Sequence, residues 1–534
     1  MSLDRQNLES FTLLRRIVLG ILTVFVLYKL IFSLIGTIDR PQIQGKFELY
    51  QTNLVLVAAE WKPTTDLEGL GSLQTAIIGT DFLKAATQQY ESARASDVQA
   101  IEKLKLSLAD LPTESLAEPL LGTRIALQTN LINKTISAAQ LEIDKIDLRI
   151  GILAAARKQP EQAIKTWQKV GAISGQSTSR NVAASLIDIW KQPSGISSNN
   201  APQIEAEINT NFDGWFRDRV QAQLYTDLGD KTRLANLLQS EQIKAQNALI
   251  KLGLNTVPRI LIGLGGVGLI VFFSVRFIIL SFQRKANQSI SDVLLTNINT
   301  PWTSPWDWEI VWQVFMLGFF FVGQFLLPFV FGSLISPGSL TMRGQGIYVF
   351  TSYALMSGLT IGVLYFSIKS YLPLPADWFK FNWKSNWLLW GIGGYLVATP
   401  IVIVVSILNE KIWQGQGGSN PLLQIVLEGK DSTALLLFFL TAAVAAPLFE
   451  EFLFRGFLLP SLTRYVPVWA SICLSGLLFG VAHLSLSEII PLTTLGIILG
   501  IVYARTKNLL APMLLHSLWN STTLVSLYIL GSGN

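Results

Sequence analysis

Polar and apolar positions follow two different patterns along this chain. Nine mostly apolar runs stand at about 17–38, 257–280, 310–335, 346–368, 386–408, 434–460, 467–486, 488–504 and 508–530. Roughly 20 apolar residues in a helix cross a ~30 Å hydrocarbon core, so the runs predict an all-α, polytopic bundle of about nine transmembrane spans. Residues 40–255 break the pattern. They are polar, rich in Ala, Gln, Leu and Lys, with apolar positions at helical spacing and few strand signals. The pattern divides the chain into an N-terminal anchor (1–39), an extramembrane α-helical domain (40–255), a second span (256–285), a polar, Trp-containing linker (286–308) and a multi-span membrane domain (309–534).

The first run follows Arg15 and Arg16, lacks a small-residue cleavage site and is longer than a signal-peptide core. It reads as an uncleaved anchor with a cytoplasmic N-terminus. Arg276, Arg284 and Lys285 flank the second run. Lys369, Lys380, Lys384, Arg464, Arg505 and Lys507 fall between later runs, in loops that the positive-inside rule makes cytoplasmic. The 40–255 domain is then extracytoplasmic, in a bacterial-type plasma membrane or a thylakoid-like membrane.

One stretch of that domain, IGILAAARKQPEQAIKTWQKV at Ile150–Val170, resembles a tetratricopeptide repeat. Gly151, Ala163 and Trp167 fall at its small-residue and aromatic positions. Pro160 suits the start of the second helix, where its missing N–H costs nothing. A second hairpin is expected at Trp215–Leu238, turning at Gly229-Asp230. Such a domain is either a helical module without a ligand or a surface for a protein partner.

Composition sharpens the membrane reading. Half of the 534 residues are hydrophobic, mean hydropathy is +0.42 and 14% are charged, against about 25% in soluble domains. The net charge of +5 belongs to the flanks of apolar runs, so it signals topology rather than nucleic-acid binding. A single cysteine, Cys473, leaves no disulfide framework and no cysteine metal site. Only two histidines occur, His483 and His516.

Both histidines lie in apolar runs, as do three charges in LFEEFLFRG at 448–456. A charge at bilayer depth costs at least about 2.5–3.5 kcal/mol. Glu451 and Arg455 are four apart, so one helix face can pair them. Glu450 points elsewhere, with no opposite charge on its own helix. A desolvated carboxylate of that kind suits a general base. Phe479 and His483 in FGVAH, and His516 and Asn520 in HSLWN, are likewise four apart. Ionisable groups in spans face the bundle interior and mark function, so Glu450, His483, His516 and Asn520 are expected to share one wet cavity.

EEFLFR, FGVAH and HSLWN resemble, in order, the EExxxR, FxxxH and HxxxN/B signatures of the CPBP intramembrane proteases. That family includes the type II CAAX prenyl endopeptidases and the bacterial Abi or bacteriocin-processing proteins. The likeness covers about residues 434–522. It implies an intramembrane endopeptidase acting on a peptide or membrane-protein substrate. Glu450 would activate the attacking water and His483 would help hold it. His516 and Asn520 would form an oxyanion-stabilising pair, with Glu451, Arg455 and Phe479 supporting. The family has been discussed both as zinc-dependent and as glutamate-type and metal-free. This chain lacks HExxH, and a catalytic zinc usually takes three strong protein ligands, so the metal-free form is favoured. A divalent metal such as zinc would have Glu450, His483 and His516 as ligands. The competing readings are a catalytically silent scaffold or immunity-type protein, and a proton-coupled transporter. A transporter should show two similar halves with broken helices, and no internal repeat is found.

Overall fold

Within hydrocarbon every backbone N–H and C=O must find its partner inside the chain, which leaves helices as the economical solution for an apolar sequence of this kind. The computed structural model describes residues 2–38, 40–63, 68–111, 119–191, 200–285 and 298–531, and among them there is helix and no strand. The first part of the expected linker, 286–297, lies outside the described residues.

The chain forms two compact units, Met1–Ile43 with Pro258–Tyr528, and Gln44–Val257 with Ile529–Asn534. Among the described residues seven helices are long and apolar enough to cross a membrane: Leu13–Ile35, Lys231–Ile279, Trp308–Leu334, Met342–Tyr371, Trp387–Trp413, Ser432–Leu462 and Leu486–Thr506. The runs read as further spans at 467–486 and 508–530 form the helices Val468–Val481 and Leu510–Gly531, which are not among those seven. Val468–Val481 has 14 residues, a rise of only about 21 Å.

In the unit Gln44–Val257, helices Pro119–Ala156 and Pro160–Ile173 form a hairpin with Pro160 as the first residue of the second helix. Trp167 is buried and its indole N–H donates to the Leu148 carbonyl at 3.1 Å. A Cβ on Gly151 would meet Trp167 at 2.1 Å, so only glycine lets the indole lie there. The second expected hairpin also forms. Helices Gly214–Asp227 and Lys231–Lys285 are joined through Gly229 at φ +68, a left-handed conformation that glycine adopts freely.

Among the described residues of the membrane unit there are three π-helical stretches, Val314–Leu326, Leu440–Ala445 and Phe452–Leu458. Each is followed two residues later by a proline, at Pro328, Pro447 and Pro460. Proline cannot donate to the carbonyl four residues back, and its ring collides with it. A wider turn with i→i+5 bonds takes up that misfit. Ser432–Leu462 therefore passes Pro447 as one helix and does not break there.

Two groups of loops close the ends of this unit. At one end, Trp302 N–H donates to Thr463 Oγ1, Trp378 Nε1 to the Thr303 carbonyl, Leu509 N–H to the Lys380 carbonyl and Lys507 Nζ to the Thr300 carbonyl. At the other, Gly417 and Gly418 donate to the carbonyls of Ile38 and Arg40, and the Ser487 N–H donates to the Gly417 carbonyl. Gly417 has φ +97, and a Cβ on it would meet Ser487 Cβ at 2.9 Å. Buried Glu309 accepts from Arg15 and from Arg16 Nε, tying the first span to the helix at 308.

Candidate active site

The helix Ser432–Leu462 carries both carboxylates, flanked by its π stretches, and adjacent side chains on a helix point about 100° apart. Glu451 and Arg455 are fully buried and pair at 2.8 Å. The second Arg455 amino group donates to the Gly496 carbonyl at 2.9 Å. His516 Nδ1 also lies 2.9 Å from the same Glu451 oxygen, so Glu451 holds one residue of its own helix and one of the last helix. This contact brings His516 level with the motif helix, although counting residues from the loop at Asn508 makes it the shallower of the two.

Glu450 is half-buried and has a different neighbour. The Tyr353 hydroxyl, from the helix Met342–Ile368, donates to Glu450 Oε1 at 3.0 Å. Arg455 acts on Glu450 through space and not by a hydrogen bond.

Phe479 is the hub between the remaining groups. Its buried ring lies 4.9 Å from the His483 ring, 5.5 Å from the His516 ring and 4.6 Å from the Arg455 guanidinium carbon. His483 follows the short helix Val468–Val481, where Leu484 turns the chain at φ +57. The Phe479 carbonyl lies 2.8 Å from His483 Nδ1. A carbonyl only accepts, so Nδ1 carries the proton and Nε2 is the free ring nitrogen. By the same logic a carboxylate at Nδ1 of His516 leaves its Nε2 free.

Asn520 donates one amide hydrogen to the Ala442 carbonyl at 2.7 Å. His516 is tied to Glu451, and Asn520 is tied to the backbone of the Glu450 helix in its π stretch. Among the described residues no group of three or more His, Cys, Asp or Glu side chains is placed to hold a metal ion.

Three residues around the site were not singled out from the sequence. Tyr353 interrupts the apolar run 346–368, and its hydroxyl was the available signal. Gln324, in the π stretch of Trp308–Leu334, donates to the Ala482 carbonyl beside His483 at 3.1 Å. Glu488, five residues past His483, accepts from the Asn420 N–H at 2.9 Å.

Comparison with known proteins adds the following. The type II CAAX prenyl endopeptidase Rce1-like family matches residues 432–522. The chain is 22% identical over 138 residues to the Bacillus subtilis (strain 168) protein named as the membrane peptidase YdiL, covering 26% of this chain and 55% of that protein. It is 25% identical over 205 residues to the membrane-embedded CAAX protease MroQ of Staphylococcus aureus (strain USA300), covering 37% and 79%. It is 33% identical over 218 residues to an uncharacterized 24.3 kDa protein of Escherichia coli, covering 38% and 95%. The chain thus spans about half the length of the first of these relatives and more of the other two. No solved structure matches it.

Proposed function

Since residues 432–522 make this chain a member of the CPBP family of intramembrane proteases, we propose that it is a membrane endopeptidase in which Glu450 activates the water that cleaves a peptide bond. One observation carries the choice of base. Of two adjacent carboxylates, Glu451 is taken up by Arg455 and His516, whereas the hydrogen bond to Glu450 comes from a neutral phenol.

In this reading a water sits between Glu450 and His483. Glu450 takes the proton as the oxygen attacks the carbonyl carbon, and then gives it to the leaving amine, so the proton count closes. His483 Nε2, free of the Phe479 contact, accepts from the same water. The second amide hydrogen of Asn520 is the donor to the developing oxyanion, where one such donor contributes about 2.7–4 kcal/mol; His516 joins it as the doubly protonated ring, with Nδ1–H on Glu451 and Nε2–H on the oxyanion. Glu451 and Arg455 hold His516 in place. The mechanism is written without a metal, because the chain lacks HExxH and a catalytic zinc usually takes three strong protein ligands. The substrate is a peptide or membrane protein that reaches the site from the bilayer. The unit Gln44–Val257 offers a separate helical surface for a protein partner.

The decisive comparison is between membranes holding the wild-type protein and membranes holding Glu450→Gln, with peptide fragments counted by mass spectrometry. Fragments that vanish in the variant support the assignment. An unchanged fragment set would refute it and leave the silent scaffold as the better reading.

A further inference from the structure

The matched segment begins at residue 432, but the hydrogen bond to Glu450 is made from outside it. Tyr353 belongs to the helix Met342–Ile368, and its hydroxyl donates to Glu450 Oε1 at 3.0 Å. We propose that Tyr353 is a positioning residue for Glu450, fixing which carboxylate oxygen receives the proton of the attacking water. The proposal rests on the endopeptidase reading above.

The packing around Tyr353 gives the contact a fixed geometry. Its ring meets Phe449 edge-on at 6.1 Å between centroids, and Phe449 in turn stacks on Phe319 at 6.4 Å. Seven residues earlier on the same helix, Gly346 passes so close to Ala434 that a Cβ there would meet the Ala434 Cα at 3.1 Å. Residues seven apart share a helix face, so this backbone contact and Tyr353 lie on the side turned to the Glu450 helix. A two-torsion aromatic held in this way delivers its hydroxyl to one place. A carboxylate that accepts from a phenol at Oε1 has Oε2 left to receive a proton, and it loses the freedom to exchange the two oxygens. Misplacement of a catalytic base by a fraction of an ångström slows a reaction without weakening substrate binding.

Tyr353→Phe removes the hydroxyl and keeps the ring between Phe449 and its neighbours. The full-length protein, in proteoliposomes, is assayed on the peptide spanning the first cleavage site found in the fragment comparison. A roughly tenfold fall in kcat with KM within about twofold of wild type is expected, the size of one lost hydrogen bond of about 1.4 kcal/mol. A kcat within about twofold of wild type overturns the proposal. Infrared spectra supply a second readout that merely structural packing would not move. The carboxylate stretch assigned to Glu450 by its absence in Glu450→Gln shifts in Tyr353→Phe if the bond exists, and an unmoved band overturns it. The two readings fail separately. An active Glu450→Gln protein removes the base itself, whereas an inactive Glu450→Gln with a fully active Tyr353→Phe removes only this proposal.

Discussion

Two neighbouring glutamates in one motif have opposite surroundings, and their substitutions should separate accordingly. Glu451 is fully buried between Arg455 and His516. Glu451→Gln leaves the Arg455 charge buried without its carboxylate, which costs about 3–5 kcal/mol, and so lowers the yield of folded protein. Arg455→Ala does the same from the other side. Glu450→Gln keeps its shape and its Tyr353 neighbour, and should abolish cleavage while the melting temperature in detergent changes little. An inactive but stable Glu451→Gln beside an unfolded Glu450→Gln would exchange the two roles. The unit Gln44–Val257 offers a separate titration. Asp97 is pushed up to about 6, by burial first and by the nearby Glu142 second, with Lys46 opposing. Its folded value lies above the unfolded one, so protonation favours the fold. The contribution is full below about pH 4 and is lost as pH rises through about 6. Asp97→Asn should therefore raise the melting temperature of that transition at pH 8 and leave it little changed at pH 4.

At the scale of the element, the helices were legible because apolar runs of sufficient length in a membrane have few alternatives to helix. The pair Glu451–Arg455 was legible from its four-residue spacing. Pro447 was visible too, but sequence spacing does not report that a π turn can absorb a proline and leave the helix continuous. Tyr353 escaped for a different reason. It lies about a hundred residues from Glu450, and only tertiary packing joins them. The π stretch Leu440–Ala445 sets the rotation of everything after it, since one residue more or less turns the helix face by about 100°. Pro447→Ala removes the need for that stretch. It should cut cleavage sharply while the melting temperature holds or rises, and a fully active variant would show that the π turn has no bearing on the site. The small residues of the next hairpin follow a simpler rule. A Cβ on Gly496 would meet Gly476 Cα at 2.8 Å and the Arg455 amino group at 3.3 Å, so Gly496→Ala should cost about 1–3 kcal/mol of stability through overpacking.

For the whole molecule the question is which end of the bundle faces the cytoplasm. Lys380, Arg464 and Lys507 sit on loops that bond to one another or to the segment 300–306, so the cations counted from the sequence gather at one end. The opposite end is the junction of residues 37–43, 415–420 and 485–488, where Gln42 N–H donates to the Gly415 carbonyl and Ile43 N–H to Ser419 Oγ. The chain leaves for residues 44–257 from that second end. Loops rich in Lys and Arg stay in the cytoplasm, so the expected orientation has the cationic end inside and the departure point outside. A cysteine introduced at exposed Ser177 tests this orientation. The native Cys473 is exposed and must first be replaced, as in Cys473→Ala, so that the new thiol is the one labelled. On intact cells Ser177→Cys should react with a membrane-impermeant maleimide at the rate seen after lysis. Reaction only after lysis would put residues 44–257 in the cytoplasm. The cationic loops would then face outward, and the charge rule would have failed for this chain.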